Sequence, residues 1–304
     1  QLKVEYSVFN VNQLLYELYN AYQFELQSIN SSDINLIINK ELDYGKSLIY
    51  SDETRLKQIL TNLISNALKF TEKGEIEFGY KLRNDEELLF YVRDTGIGIS
   101  KDKQEFIFGR FRQADEVTSR KYGGTGLGLS ISLNLVKMLG GEIWLESEEG
   151  KGSCFYFTLP YNKPENNSHK HYAEDILINY NWKGHHILVV EDDPTTQEYI
   201  NEILKPTKAK VDFTDTGEKG LEYYQTNKTY SLILMDLKLP DMSGIDVTRQ
   251  IRQNDKHTPI IAQTAYAMGE DKDKCLKAGC NEFITKPFNP QSLIGIISNL
   301  FENE

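Results

Sequence analysis

Several polar residues in this sequence stand where apolar runs end, and their types suggest what they could handle. Glu191, Asp192 and Asp193 follow the run His186 to Val190, and Asp236 ends the run Ser231 to Met235. Carboxylates gathered at neighbouring strand ends repel one another unless a cation lies among them, and hard oxygen donors suit magnesium. Thr264 and Lys286 close two further apolar runs, so a hydroxyl and an ammonium are expected to face the same acidic group. In the first half, Asn62 and Asn66 are spaced i,i+4 and Lys69 is three residues on. On a helix all three lie near one face, where two amide oxygens and an ammonium can grip magnesium and the phosphates it bridges. Asp94-Thr95-Gly96-Ile97-Gly98-Ile99 follows a strand. Its carboxylate can accept a hydrogen bond from an exocyclic amine such as that of adenine, the glycines admit a planar base, and the two isoleucines can cover its faces. The run Gly123-Gly124-Thr125-Gly126-Leu127-Gly128-Leu129 opens a helix and offers backbone N–H groups to phosphate oxygens. Taken singly, each has a plainer reading: a solvated edge, a polar helix face, a turn with a capping aspartate, a Gly-rich turn.

Two common nucleotide fingerprints fail. A dinucleotide G-x-G-x-x-G would need glycine at Lys101 or at Leu129, and a P-loop ending at Gly45-Lys46-Ser47 would need glycine at Lys40.

The elements that must position these residues fall in two patterns. Up to about residue 160 the chain reads as α+β. Helices are expected over Asn12 to Gln27, from a cap at Ser51 or Asp52 to Phe70, and from the Gly-rich run to Gly140-Gly141. Strands are expected over Ile34 to Ile38, Glu75 to Arg83, Glu87 to Arg93, 142–147 and 153–159. Tyr161 to His171 is polar and aperiodic and reads as a linker, while Asp175 to Tyr180 fits a short helix or a strand. From His186 onward strands alternate with helices, the signature of a parallel doubly wound sheet whose ligands sit at the carboxyl ends of its strands. The expected domains are 1–163 and 184–304, with 164–183 between them.

Composition narrows the classes. Of 304 residues 39% are hydrophobic and 26% charged, which excludes a disordered chain, a collagen-like repeat or a coiled-coil rod. No apolar stretch is long enough to span a bilayer. The net charge of -11 opposes binding to a phosphate backbone, so no nucleic acid partner is expected. Cys154, Cys275 and Cys280 are too few for a disulfide framework and suit a reducing compartment.

Two resemblances follow. Asn62 to Thr71 (NLISNALKFT), Asp94-Thr95-Gly96-Ile97-Gly98, Ile107 to Gln113 (IFGRFRQ) and Gly124 to Leu129 (GTGLGL) resemble, in order, the N, G1, F and G2 boxes of histidine kinases. This implies the two-layer α+β ATP-binding sandwich shared with type II topoisomerases and heat-shock chaperones. It implies ATP held by Asn62, Asn66, Lys69, Phe70, Asp94, Gly96, Gly98, Ile99, Thr125, Gly126, Leu127 and Gly128, with magnesium on Asn66, helped by Asn62, and a lid over 109–128 anchored by Phe108 and Phe111. The second half, including Asp236 to Gly244 (DLKLPDMSG), resembles a response-regulator receiver, a flavodoxin-like α/β fold. The likeness implies Asp236 as phosphoacceptor, magnesium on Glu191, Asp192 and Asp236, Lys286 paired with the acyl phosphate, and a switch formed by Thr264 and Phe283.

The combination resembles a hybrid sensor histidine kinase. None of His169, His171, His185, His186 and His257 is followed by an acidic residue or lies on an amphipathic helix, so the phosphoacceptor histidine is expected on a dimerisation domain upstream of Gln1. A histidine phosphotransfer protein or response regulator is expected downstream of Asp236. The segment is expected in the cytoplasm, with a parent protein that inner-membrane anchoring would also suit. A stand-alone ATPase and a degenerate docking module use the same parts; steady ATP turnover without a partner marks the first, failure to bind ATP the second.

Overall fold

The computed structural model describes residues 3–28, 33–43, 46–104, 106–108, 128–164, 180–227, 229–264 and 269–302. They belong to two compact units, Gln1–Asn166 and Asn167–Glu304.

The first unit is a sheet backed by helices. Strands β2 (Ile34–Lys40), β4 (Gly74–Asn84), β5 (Glu87–Asp94), β6 (Ile143–Glu148) and β7 (Gly152–Pro160) form a five-stranded sheet in the order β2-β4-β5-β7-β6. The β2–β4 pair is parallel and the others are antiparallel. Alternation puts Ile76, Phe78, Phe90, Val92, Phe155 and Phe157 on one face, where they pack in a single core with α1 (Val11–Ser28), α2 (Glu53–Phe70) and α4 (Gly128–Met138). A short α3 (Lys101–Gln104) follows β5. On α2, Leu56, Ile59, Leu60, Leu63, Ile64 and Ala67 form the buried stripe that the spacing predicts. Asp52 caps this helix by accepting the Arg55 N–H at 3.0 Å, and its other oxygen accepts the Glu5 N–H at 2.8 Å. The second bond ties α2 to the segment that leads into a feature sequence periodicity misses, a small antiparallel sheet of β1 (Ser7–Asn10) and β3 (Leu48–Ser51). Four-residue strands carry too few alternations to be read. On the opposite, outer face of the large sheet, Trp144 stacks on Tyr156 with ring centroids 5.5 Å apart, and the Arg83 guanidinium lies 6.0 Å over the indole.

The second unit has five parallel strands in the order β12-β11-β10-β8-β9: β8 (His186–Val190), β9 (Lys210–Thr214), β10 (Leu232–Asp236), β11 (Ile260–Thr264) and β12 (Glu282–Thr285). Helices α5 (Pro194–Leu204), α6 (Gly217–Thr226), α7 (Gly244–Asn254), α8 (Gly269–Ala278) and α9 (Pro290–Glu302) alternate with them. All five residues of β8, of β10 and of β11 are buried, as strands covered on both faces require. Leu188, Val190, Ile233, Met235, Ile260 and Ala262 pack with Leu221, Val247 and Ile251 of α6 and α7. Packing on this unit includes a residue before Gly184: Trp182 is buried, donates its backbone N–H to Thr207 at 2.7 Å and meets Phe301 of α9 edge-on at 5.3 Å. Of Asp175 to Tyr180, only Tyr180 lies within the described residues. No helix among the described residues is long and apolar enough to cross a membrane.

Candidate functional site

In the first unit the expected residues meet at the ends of β5 and α2 and the start of α4. Asp94, the last residue of β5, is buried. One of its oxygens accepts the Gly96 N–H at 2.9 Å and, at 3.3 Å, the N–H of Ser153, its register partner on β7. Burial raises the Asp94 pKa, and the two N–H groups pull it back. The loop beyond is fastened on both sides. Ile97 donates its N–H to Phe70 of α2 at 3.2 Å and accepts the Gly150 N–H at 2.7 Å. Ile99 donates to Ser147 Oγ at 2.8 Å, and Gln104 bonds the carbonyls of Ile99 and Ser147 at 2.7 and 2.9 Å. Gly98 has φ +67°, and a Cβ there would lie 2.1 Å from the Glu148 carbonyl oxygen, so only glycine lets the loop close on the β6–β7 turn. The two isoleucines differ: Ile97 is 47% exposed, whereas Ile99 packs on the core.

On α2, Asn66 is half-buried and the Lys69 ammonium lies 5.0 Å from the Phe70 ring centroid. Asn62 has a more definite post than its spacing suggests. Its amide nitrogen donates to Ser132 Oγ of α4 at 2.7 Å, and its amide oxygen lies where a Cβ on Gly128 would intrude, at 2.2 Å. Gly128 thus permits close packing of α4 on α2, a role that a phosphate-cradle reading of the glycines does not contain. Phe108 meets Phe155 edge-on at 6.4 Å. Thr125, Gly126, Leu127 and Phe111 lie outside the described residues, as does most of the expected lid.

In the second unit the carboxyl ends of β8, β10 and β12 converge. Glu191 is fully buried and Asp236 nearly so. The Lys286 ammonium donates to Glu191 Oε1 at 2.7 Å, Glu191 Oε2 at 2.5 Å and Asp236 Oδ2 at 2.6 Å. Burial alone would lower the Lys286 pKa; the carboxylates of Glu191 and Asp236 outweigh it and hold the pKa above the ordinary lysine value. Burial pushes Glu191 above the usual carboxylate range, and Lys286 opposes this. Asp192 sits at the solvent edge, its pKa raised by partial loss of hydration and by the charge of Asp236. Glu191, Asp192 and Asp236 each bring an oxygen within 4.8 Å of the others, an all-carboxylate set that fits a hard divalent cation. Thr264 is buried at the end of β11 and accepts the Lys286 N–H on its carbonyl at 2.7 Å. Phe283 pairs in register with Ala262 and so shares a face with Thr264.

Asp193 corrects the sequence reading. It does not join the converging carboxylates but caps α5, accepting Thr195 N–H, Thr196 N–H and Thr196 Oγ–H at 3.3, 3.0 and 2.7 Å. A following proline at the first helical position is the signal that could have revealed it. Two supporting residues escaped notice. Gln197 donates to the Glu191 carbonyl at 2.6 Å, and Asp241 fastens the loop after Asp236 by accepting the N–H groups of Gly217 and Glu218, both at 2.9 Å. Both act on backbone groups of other elements, which leaves no spacing in the sequence.

A helix-backed sheet with a buried aspartate at the end of its central strand, followed by a doubly wound sheet with carboxylates converging at its strand ends, is a combination that known proteins share. Residues 51–163 match the family of histidine kinase-, DNA gyrase B- and HSP90-like ATPases, and residues 187–298 match the response regulator receiver domain. The chain is 38% identical over 302 residues to the autoinducer 2 sensor kinase/phosphatase LuxQ of Vibrio vulnificus, covering 96% of this chain and 35% of that protein. It is 33% identical over 260 residues to the aerobic respiration control sensor protein ArcB of Escherichia coli, covering 84% of this chain and 33% of ArcB. A hybrid signal transduction histidine kinase of Dictyostelium discoideum matches at 30% over 335 residues, covering 100% of this chain and 26% of that protein. The chain thus spans about a third of the length of these relatives or less. It belongs to the hybrid sensor histidine kinases, as their catalytic ATPase domain joined to a receiver.

Proposed function

We propose that the first unit holds ATP for transfer of its γ-phosphoryl group to a histidine on a dimerisation domain of the parent protein, and that Asp236 then takes the group from that histidine. The observation that carries this reading is the buried Lys286 ammonium shared between Glu191 and Asp236. It supports the reading because a positive charge against the Asp236 carboxylate would neutralise incoming phosphoryl oxygens if that carboxylate is the nucleophile. In the transfer an Asp236 oxygen attacks phosphorus, the P–N bond of the phosphohistidine breaks, and its electron pair leaves with the imidazole.

Magnesium fits both units by donor chemistry. Glu191, Asp192 and Asp236 would hold it in the receiver, and Asn66 beside the ATP phosphates; it would supply charge neutralisation at the phosphoryl oxygens. Asp94 would accept the adenine amine, with Gly96 and Gly98 letting the base approach and Ile99 flooring it. Lys69 and Phe70 would line the phosphate side, where Thr125, Gly126 and Leu127 would donate backbone N–H groups. Asn62 would act through Ser132 by holding α4 in place. Thr264 and Phe283 would carry the response to phosphorylation, and a histidine phosphotransfer protein or response regulator would receive the group next.

The test uses acetyl phosphate with magnesium: one phosphoryl group should appear on the chain and none on Asp236→Asn. Label persisting in that variant refutes Asp236 as acceptor. Radiolabel passing from ATP to a histidine of this chain would refute the need for an upstream domain.

A further inference from the structure

Gln263 is fully buried on β11, and neither its amide nitrogen nor its amide oxygen has a hydrogen-bond partner among the described residues. Buried amides are nearly always paired, because an unpaired one gives up its hydration and gains nothing. Methionine or leucine would fill much the same volume without that cost.

The position of Gln263 supplies a use for the amide. Asp236 on β10 pairs in register with Gln263, and Gln263 pairs with Ile284 on β12. Register partners point to the same face, so Gln263 stands on the strand next to Asp236 and on the same face, the two backbones about 5 Å apart across the ladder. Strand β11 lies between β10 and β12. Lys286, two residues beyond Ile284, must therefore carry its stem past the end of β11 to reach Asp236 and Glu191. An ammonium has three N–H groups, and the three acceptors on Glu191 and Asp236 occupy them all. Once Asp236 bears a phosphoryl group, Lys286 must turn an N–H toward the phosphoryl oxygens, and the carboxyl group of Asp236 loses a donor in a buried place. The next donor in the row is the unused amide of Gln263.

We propose that Gln263 sets the lifetime of the acyl phosphate on Asp236, its amide N–H taking up the aspartate oxygen as the phosphoryl group departs. In hydrolysis water attacks phosphorus, and the P–O bond to Asp236 breaks. The electron pair stays on the aspartate oxygen, and the protons of the water leave with inorganic phosphate. Negative charge builds on that oxygen in the transition state, so a waiting donor speeds the step. The inference rests on Asp236 being the phosphoacceptor.

The experiment loads the whole chain with labelled acetyl phosphate and magnesium, removes the donor and follows loss of the acyl phosphate. Gln263→Met and Gln263→Leu should each lengthen the half-life about three- to tenfold, the effect of one lost hydrogen bond. The magnesium dependence of loading should stay as in the parent, and the receiver's unfolding midpoint should rise by about 3–8 °C as the unpaired amide is removed. A raised midpoint with half-lives equal to the parent's in both variants overturns the role of Gln263 and leaves a merely structural residue. A parent chain that never takes up label overturns the phosphoacceptor reading, and this inference with it.

Discussion

The candidate site of the first unit has a single buried carboxylate steadied by two backbone N–H groups, whereas that of the second shares one buried ammonium among three oxygens of two carboxylates. In the first, recognition would be spread over a loop pinned to α2, α3 and the β6–β7 turn, so its precision would come from backbone geometry. In the second, it would be concentrated in a few charges at strand ends. The contrast suits the sizes of what each would hold. A nucleotide offers a planar base and three phosphates to many weak contacts, while a single phosphoryl group must be met by strong charge at one point. The ATP side should therefore lose affinity by degrees, and the receiver side should fail outright.

The sharpest way to break this contrast is Asp236→Asn, which should abolish acyl phosphate formation while ATP affinity of the first unit, measured by calorimetry, stays unchanged; partial labelling would mean that charge at one point is not what matters. Lys286→Met should come next. It leaves Glu191 and Asp236 buried without their cation, which should cost about 3–5 kcal/mol of receiver stability in urea unfolding, with the first unit's transition unmoved. Asp94→Asn should weaken ATP binding by about ten- to a hundredfold, the range for a hydrogen bond to a charged group, with receiver labelling intact. The two sites should also part in their response to pH. The raised pKa values of Glu191 and Asp192 mean that protons compete with a cation above the usual carboxylate range, so magnesium affinity of the receiver should rise with pH through that window. The raised Asp94 pKa means that acidification should weaken ATP binding at a higher pH than an exposed aspartate would. Ser132→Ala should show the smallest effect: removing the hydroxyl that holds Asn62 should cost about 1 kcal/mol of first-unit stability and lower ATP affinity only a few fold.

What could be read beforehand follows the same division. The strand-end residues Glu191, Asp236, Thr264 and Lys286 were legible because a doubly wound sheet puts the ends of buried apolar runs on one side, so pattern alone places them. The buried stripe and cap of α2 were legible for a similar reason, since both repeat with the helix. Ser153 as the partner of Asp94 was not, because register between β5 and β7 depends on side chains far apart in the chain. Asn62 was read from its helical face, yet its partner Ser132 comes from packing of α4 against α2. Asp193 was grouped with its neighbours by charge, although its backbone neighbourhood gives it to the helix that starts there. Local periodicity survives into the fold, and contacts between elements have to be seen.

Trp182, wedged between the entry to β8 and Phe301 of the last helix, carries an optical consequence. The chain has two tryptophans, Trp144 in the first unit and Trp182 in the second. Trp144 is half-buried beside a guanidinium and should emit toward the red and meet quenchers readily, while buried Trp182 should emit toward the blue and be shielded. A Trp144→Phe chain would then glow from its receiver alone, and a Trp182→Phe chain from its ATPase alone. Each unit comes with its own lamp.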